Sequence, residues 1–237
     1  MEHSMVEQSS TPAGSLGGAA GGARGGARLR VALLLVGVAA LVGIGAGAAA
    51  ALLSHRSSPS SALLSGPAAT WPAGSKIAPD FSLRDQDGQP VSLSALRGRP
   101  VIVTFIDPLC RDFCPLEAKV LNKVVDTLPQ GQRPAIVAVS VNRWANARRF
   151  LLQDVTKWRL VPEWRWAVGS PAALGSVWKK YAIGVQATSK TIAGVTVHQI
   201  SHTEAAYLVD ASGHQRALFM WPFDASDVER TLASLHE

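Results

Sequence analysis

The chain has 237 residues, 47% of them hydrophobic, a formal net charge of +6 at pH 7 and two cysteines. Two cysteines exclude a scaffold built on disulfides, and the length allows one large domain or two small ones. The basic excess forms no run of Lys or Arg interleaved with aromatics, so it does not point to nucleic acid.

Residues 1–28 run through "GSLGGAAGGARGGAR", with almost nothing apolar larger than alanine. Such a segment cannot offset the entropy of ordering and is expected to be a disordered tail. Residues 29–53 follow as an expected membrane anchor. Val31 to Leu53 carries no charge over 23 residues, and at about 1.5 Å per residue a helix of that length crosses a hydrocarbon core of roughly 30 Å. Arg24, Arg28 and Arg30 precede the span and Arg56 alone follows it closely, which puts the N-terminus in the cytoplasm and the rest of the chain outside the plasma membrane. The alternative is a cleaved signal peptide, whose apolar region is usually about 7–15 residues. Residues 54–72, rich in Ser, Pro and Ala, read as a flexible linker, with the folded domain at 73–237.

Within that domain strand-like and helix-like periods alternate, the pattern of an α/β fold. A hairpin is expected around the turn-rich "RDQDGQ", and Pro100–Ile106 is a β-branched run suited to a buried central strand. Leu116, Val120, Leu121, Val124 and Leu128 recur at helical spacing, with Pro115 in the first turn, where a helix tolerates it. Ala135–Val141 predicts a second buried strand. Trp144, Leu151, Val155 and Trp158 mark another helix, and Ala172–Tyr181 a third. "AAYLVDASGHQRALFM" predicts strand, turn and strand, with Gly213 supplying a positive φ. Val228, Leu232 and Leu235 give a last helix, with Asp224 as N-cap. The order βαβ, helix, β-hairpin, helix is thioredoxin-like, preceded by an extra N-terminal hairpin.

Both cysteines, Cys110 and Cys114, lie at the C-terminal end of the expected central strand, where α/β sheets put their sites. A structural disulfide across so short a loop would contribute on the order of 2 kcal/mol and constrain little. A redox couple is geometrically sound, since residues at i and i+4 of a helix face the same way and a helix N-terminus favours a thiolate. Thioredoxin-type enzymes, however, have two residues between the cysteines rather than three, and a cis-proline before a later strand, whereas no proline occurs between Pro171 and Pro222. The peroxiredoxin pattern P-x-x-x-T-x-x-C fails for either cysteine. A metal clamp is the third reading: two thiolates suit Cu(I) and need a further donor, commonly imidazole. Of the six histidines, His3, His55 and His236 lie in the tail, at the membrane boundary and at the C-terminus. His214 falls in a turn, and His198 and His202 lie in a loop entering a buried strand, His202 nearer to it. Zinc on the same residues is chemically allowed.

The segments "APDFSLRDQDGQPVSLSALRGRPVIVTF", "CRDFCP", "VWKKYAIGV" and "ISHTEAAYLVDASG" together resemble the Sco/SenC family of membrane-anchored, thioredoxin-like copper proteins. The specific element is C-x-D-x-C-P, matched by Cys110, Asp112, Cys114 and Pro115. The resemblance implies His202, five residues before Tyr207, as the third ligand of a site for Cu(I) and Cu(II). It also implies delivery of copper to the CuA subunit of cytochrome c oxidase, or reduction of its cysteines. The alternative function is a thiol-disulfide oxidoreductase using Cys110 and Cys114 without metal. The chain departs from the family at Asp107-Pro108-Leu109, where a Tyr-Thr step is usual, at Asn142, where an acid is usual, and at Ser201, where an acid often precedes the histidine.

Overall fold

A computed structural model describes residues 66–236. The expected tail, membrane span and most of the linker, with His3 and His55, lie outside the described residues. No helix among the described residues is long and apolar enough to cross a membrane.

A six-stranded sheet organises the domain. Its strands are β1 (Ala69–Thr70), β4 (Val101–Ile106), β5 (Ala135–Ser140), β6 (Trp164–Ala167), β9 (Ala205–Val209) and β10 (Gln215–Met220), in the spatial order β1-β10-β9-β4-β5-β6. β4, β5 and β6 are parallel, whereas β9 runs antiparallel to β4 and β10 antiparallel to β9. Two hairpins stand apart from the sheet: β2 (Ser82–Arg84) with β3 (Pro90–Ser92), and β7 (Val185–Ile192) with β8 (Val195–His202). The helices are α1 (Phe113–Thr127), α2 (Arg148–Lys157), α3 (Pro171–Lys180) and α4 (Ala225–Ala233). This is the mixed α/β, thioredoxin-like arrangement expected, with its extra hairpin β2–β3.

β4 is central because every residue in it is buried. Its side chains alternate between faces. Val101, Val103 and Phe105 join a cluster with Leu83 and Val91 of the first hairpin and Leu174 and Val177 of α3. Ile102 and Ile106 face the other way, onto Cys114, Ala118 and Leu121 of α1, Leu151 of α2 and Val228 of α4. Each such side chain contributes about 1.5–3 kcal/mol by leaving water, so the strand that leads into the cysteine loop is among the best-anchored parts of the domain.

Several expectations shift. The sheet begins before Ala73, since Ala69 and Thr70 pair with Leu218 and Ala217 of β10. The buried face of α1 starts at Cys114 and continues through Ala118, Leu121 and Val125, while Leu116 is 52% exposed. The helix is thus rotated so that its first turn turns a thiol, not a leucine, toward the sheet. Trp144 precedes α2 instead of belonging to it. Asp224 occupies the N-cap position of α4 but makes no side-chain capping bond. The strand β6 and the hairpin β7–β8 were not expected. The hairpin turns at Ala193 and Gly194, both at positive φ, as a tight two-residue turn between twisted strands requires.

Candidate metal centre

The cysteine loop takes its shape from the two elements it joins. β4 ends at Ile106, and Asp107 accepts through Oδ1 from the Leu109 N–H at 2.8 Å, turning the chain outward. The Cys110 N–H donates to the Asp107 carbonyl at 3.0 Å. Arg111 straps the loop from outside, its guanidinium donating to the Cys110 carbonyl at 2.7 Å. α1 then starts with Cys114 in its first turn, where backbone N–H groups have no partner inside the helix. One of these, on Cys114, donates to Cys110 Sγ at 3.4 Å. The two cysteines form no disulfide; Cys114 is buried and Cys110 half-buried.

The neighbouring thiols therefore differ. The Cys114 side chain, joined by the backbone N–H groups of Cys114, Asp112 and Phe113, draws Cys110 down to about 6 against the opposing effect of its burial. Cys114 is pushed up, first by its bond to Cys110 and then by burial. At neutral pH the pair is a Cys110 thiolate held beside a Cys114 thiol.

The other half arrives through sheet register. β9 pairs antiparallel with β4, Val101 opposite Val209 and Thr104 opposite Ala206. Continuing that register past Ile106 brings the residues just before β9 alongside the cysteine loop. His202 is the last residue of β8, not part of a loop, and Glu204 immediately precedes β9. Thr203, between them, is pinned by its N–H to the Gly184 carbonyl at 2.9 Å and by its hydroxyl, which accepts from the Gly184 N–H at 3.1 Å. The Glu204 carbonyl accepts from the Trp221 N–H at 3.1 Å. In His202 it is Nδ1 that donates, to the Thr203 carbonyl at 3.0 Å. A carbonyl only accepts, so Nε2 keeps its lone pair free for a metal, as in the outer hydrogen bonds that orient ligating histidines.

Donor atoms of Cys114, His202 and Glu204 all lie within 4.8 Å of one another, and Cys110 is tied to Cys114 by the N–H bond already described. Metal–sulfur and metal–nitrogen bonds are about 2.0–2.3 Å, so the three atoms stand close to the spacing that ligands of one ion take, and Cys110 lies outside this group of three. The centre opens into a cleft of about 720 Å³ lined by Cys110, Phe113, His198, His202 and Glu204 among others.

Of the histidines expected from sequence, His202 alone meets the cysteines in this way. His198 lies on the same strand, but its ring stacks on Trp144, centroids 3.9 Å apart and 7° from parallel, and Nδ1 bonds the Ser189 hydroxyl at 2.8 Å. His214 is beyond the far end of β9, bonded to Ser212 at 2.8 Å. Glu204 was not singled out from sequence; the one signal for it is its position two residues after His202, at the junction of β8 and β9. No proline precedes β9; the cis peptide among the described residues is Trp221–Pro222, after β10.

Two departures from the family pattern meet in space. Asn142, just beyond β5, donates through Nδ2 to Asp107 Oδ1 at 2.9 Å, with both residues buried. An acid at 142 would set two carboxylates together, so an amide there suits Asp107. Behind them Glu117 of α1 is 2% exposed and bonded to the Thr104 hydroxyl, and burial pushes its carboxyl up to about 8.

Comparison with known proteins finds the same fold in solved structures. ScoI of Arabidopsis thaliana, solved with copper bound, is 22% identical, with a TM-score of 0.59 over 68% of this chain and 98% of its own. Yeast Sco1 with copper bound is 19% identical, with a TM-score of 0.59 over 67% and 87%. BsSco, described as a Sco-family cytochrome c oxidase assembly protein with a disulfide switch, is 21% identical, with a TM-score of 0.55 over 70% and 96%. Among curated proteins, the chloroplastic peroxiredoxin Q of Oryza sativa subsp. japonica is 68% identical over 28 residues, 12% of this chain. The chain thus spans 13% of the length of that curated relative. Residues 70–237, which hold all of the sheet but Ala69 and both halves of the candidate centre, match the SCO1/SenC family model, and the chain belongs to that family.

Proposed function

We propose that the domain binds copper through Cys110, Cys114 and His202 and hands it to an acceptor, the CuA subunit of cytochrome c oxidase, while residues 29–53 anchor it in the plasma membrane with the domain outside. The observation that carries this reading is an i, i+4 pair of free cysteines meeting, within 4.8 Å of Cys114, a histidine whose Nε2 is left free. Two soft thiolates and one imidazole suit Cu(I), and the imidazole also accommodates Cu(II).

Capture needs both sulfurs deprotonated. Cys110 already is at neutral pH, and Cys114 gives up its proton as the ion arrives, so uptake releases a proton. Release is exchange of thiolates, the acceptor's sulfurs replacing Cys110 and Cys114 one at a time. Phe113, 53% exposed, and Val197, 51% exposed, flank the cleft and offer an acceptor an apolar rim.

A second reading has one observation in its favour, the contrast between a low-pKa Cys110 and a buried Cys114 thiol. In that reading Cys110 attacks a substrate disulfide, and Cys114 resolves the mixed disulfide. The substrate gains two electrons as Cys110 and Cys114 are oxidised.

Cu(I) titration of the full-length reduced protein against a competing chelator separates the two. The copper reading expects one Cu(I) per chain, lost in Cys110→Ser. Equal, weak binding by wild type and Cys110→Ser would overturn it.

A further inference from the structure

We infer that Glu204 is a fourth donor of the centre and strengthens its hold on the oxidised ion, Cu(II). This rests on the copper reading above and extends its ligand set. A Glu204 carboxylate oxygen lies within 4.8 Å of both the Cys114 sulfur and a His202 ring nitrogen, the same spacing that joins those two to each other.

The position is built. Backbone bonds hold the segment on both sides, Thr203 to Gly184 at 2.9 Å and Glu204 to Trp221 at 3.1 Å. His202 ends β8 and Glu204 immediately precedes β9, so the nitrogen and oxygen donors come from the junction of those strands, while the sulfurs come from the loop after β4 and the first turn of α1. Glu204 is half-buried, and no hydrogen bond or ion pair to its carboxylate is found among the described residues. It lines the same cleft as Cys110 and His202.

A carboxylate is a hard oxygen donor, poorly matched to Cu(I) but well matched to the tetragonal N, O and S surroundings that Cu(II) takes. It also adds a third negative charge beside two thiolates, which favours a dication over a monocation. When the ion is Cu(I), Glu204 stays unligated in the cleft. When it is Cu(II), the carboxylate takes the place that water would occupy.

The test loads the full-length protein and Glu204→Gln with Cu(II) and with Cu(I), using chelator competition for each and electron paramagnetic resonance for Cu(II). The expected result is a Cu(II) affinity about 10–100-fold weaker in Glu204→Gln, a changed copper hyperfine splitting, and a Cu(I) affinity within about threefold of wild type. Glu204→Asp should recover part of the Cu(II) affinity. Unchanged hyperfine splitting and Cu(II) affinity would overturn the inference while leaving the three-ligand reading standing. Equal losses for both oxidation states would also overturn it, as the mark of a structural role. A wild type that binds no copper defeats the parent reading, and this one with it.

Discussion

Cys110 and Cys114 stand between a strand buried along its whole length and a helix packed on the core, whereas His202 ends a hairpin whose side chains are nearly all exposed. The first half is set by burial and cannot move without disturbing the sheet. The second is held by a few identifiable ties: the Thr203–Gly184 bonds, the continuation into β9 and the stack of His198 on Trp144. On the copper reading proposed above, this division lets the sulfurs stay fixed while the nitrogen and oxygen donors adjust to an ion that changes oxidation state.

The largest expected effect tests that division directly. Cys114→Ser should weaken Cu(I) binding at least about 100-fold, since it removes a ligand where loss of an outer partner alone costs about 10–100-fold. His202→Ala should weaken Cu(I) far less than Cu(II). Chelator competition measures both, and a His202→Ala loss for Cu(I) as large as that of Cys114→Ser would break the comparison.

The next effect belongs to the core half alone. Burial raises the Glu117 carboxyl from its ordinary 4.5 to about 8 in the folded protein. The folded state therefore holds this proton more tightly, and its contribution to stability is full below about pH 4.5 and is lost as pH rises through about 8. Glu117→Gln should remove that slope, on the order of a few kcal/mol across the window. Denaturant midpoints of the copper-free protein at pH 5 and pH 8 check it, and an unchanged slope would mean that Glu117 is ionised at neutral pH.

Asn142→Asp sharpens the same half. It would bury a carboxylate against Asp107 where a 2.9 Å amide bond now stands, and should cost on the order of 2 kcal/mol in denaturant unfolding. Smallest is Trp144→Ala, which removes the stack on His198 and should cost at most about 1 kcal/mol. Its better readout is faster amide hydrogen exchange in β7–β8 with unchanged exchange in β4.

Reading by residue type succeeded where burial dictates residue type. Val101–Ile106 and Ala135–Ser140 are apolar but for Thr104 and Ser140 because both faces of those strands are covered, and the turn at Gly213 is marked by a residue able to take a φ of 90°. β7–β8 escaped because its pattern is that of a two-sided, solvated ribbon with no buried face to impose alternation. A usable sign was present: Ala193-Gly194 between β-branched residues, Thr191 and Ile192 on one side and Val195, Thr196 and Val197 on the other. α1 was found but turned wrongly, because Leu116 fits a helical stripe as well as Cys114 does and only packing shows which one faces β4.

From its sequence alone, then, the protein is identifiable as an α/β domain carrying a C-x-D-x-C-P element at a strand's end and a histidine before a later strand, since covalent spacing and local periodicity are one-dimensional properties. The meeting of the two is not of that kind. Antiparallel pairing of β9 with β4 brings residues some ninety positions apart to one end of the sheet. The same pairing puts Glu204 beside Cys114 and leaves His214 beyond the opposite end of its strand. Register is a property of which strands are neighbours, and a one-residue slip would have turned every side chain of β9 to the other face.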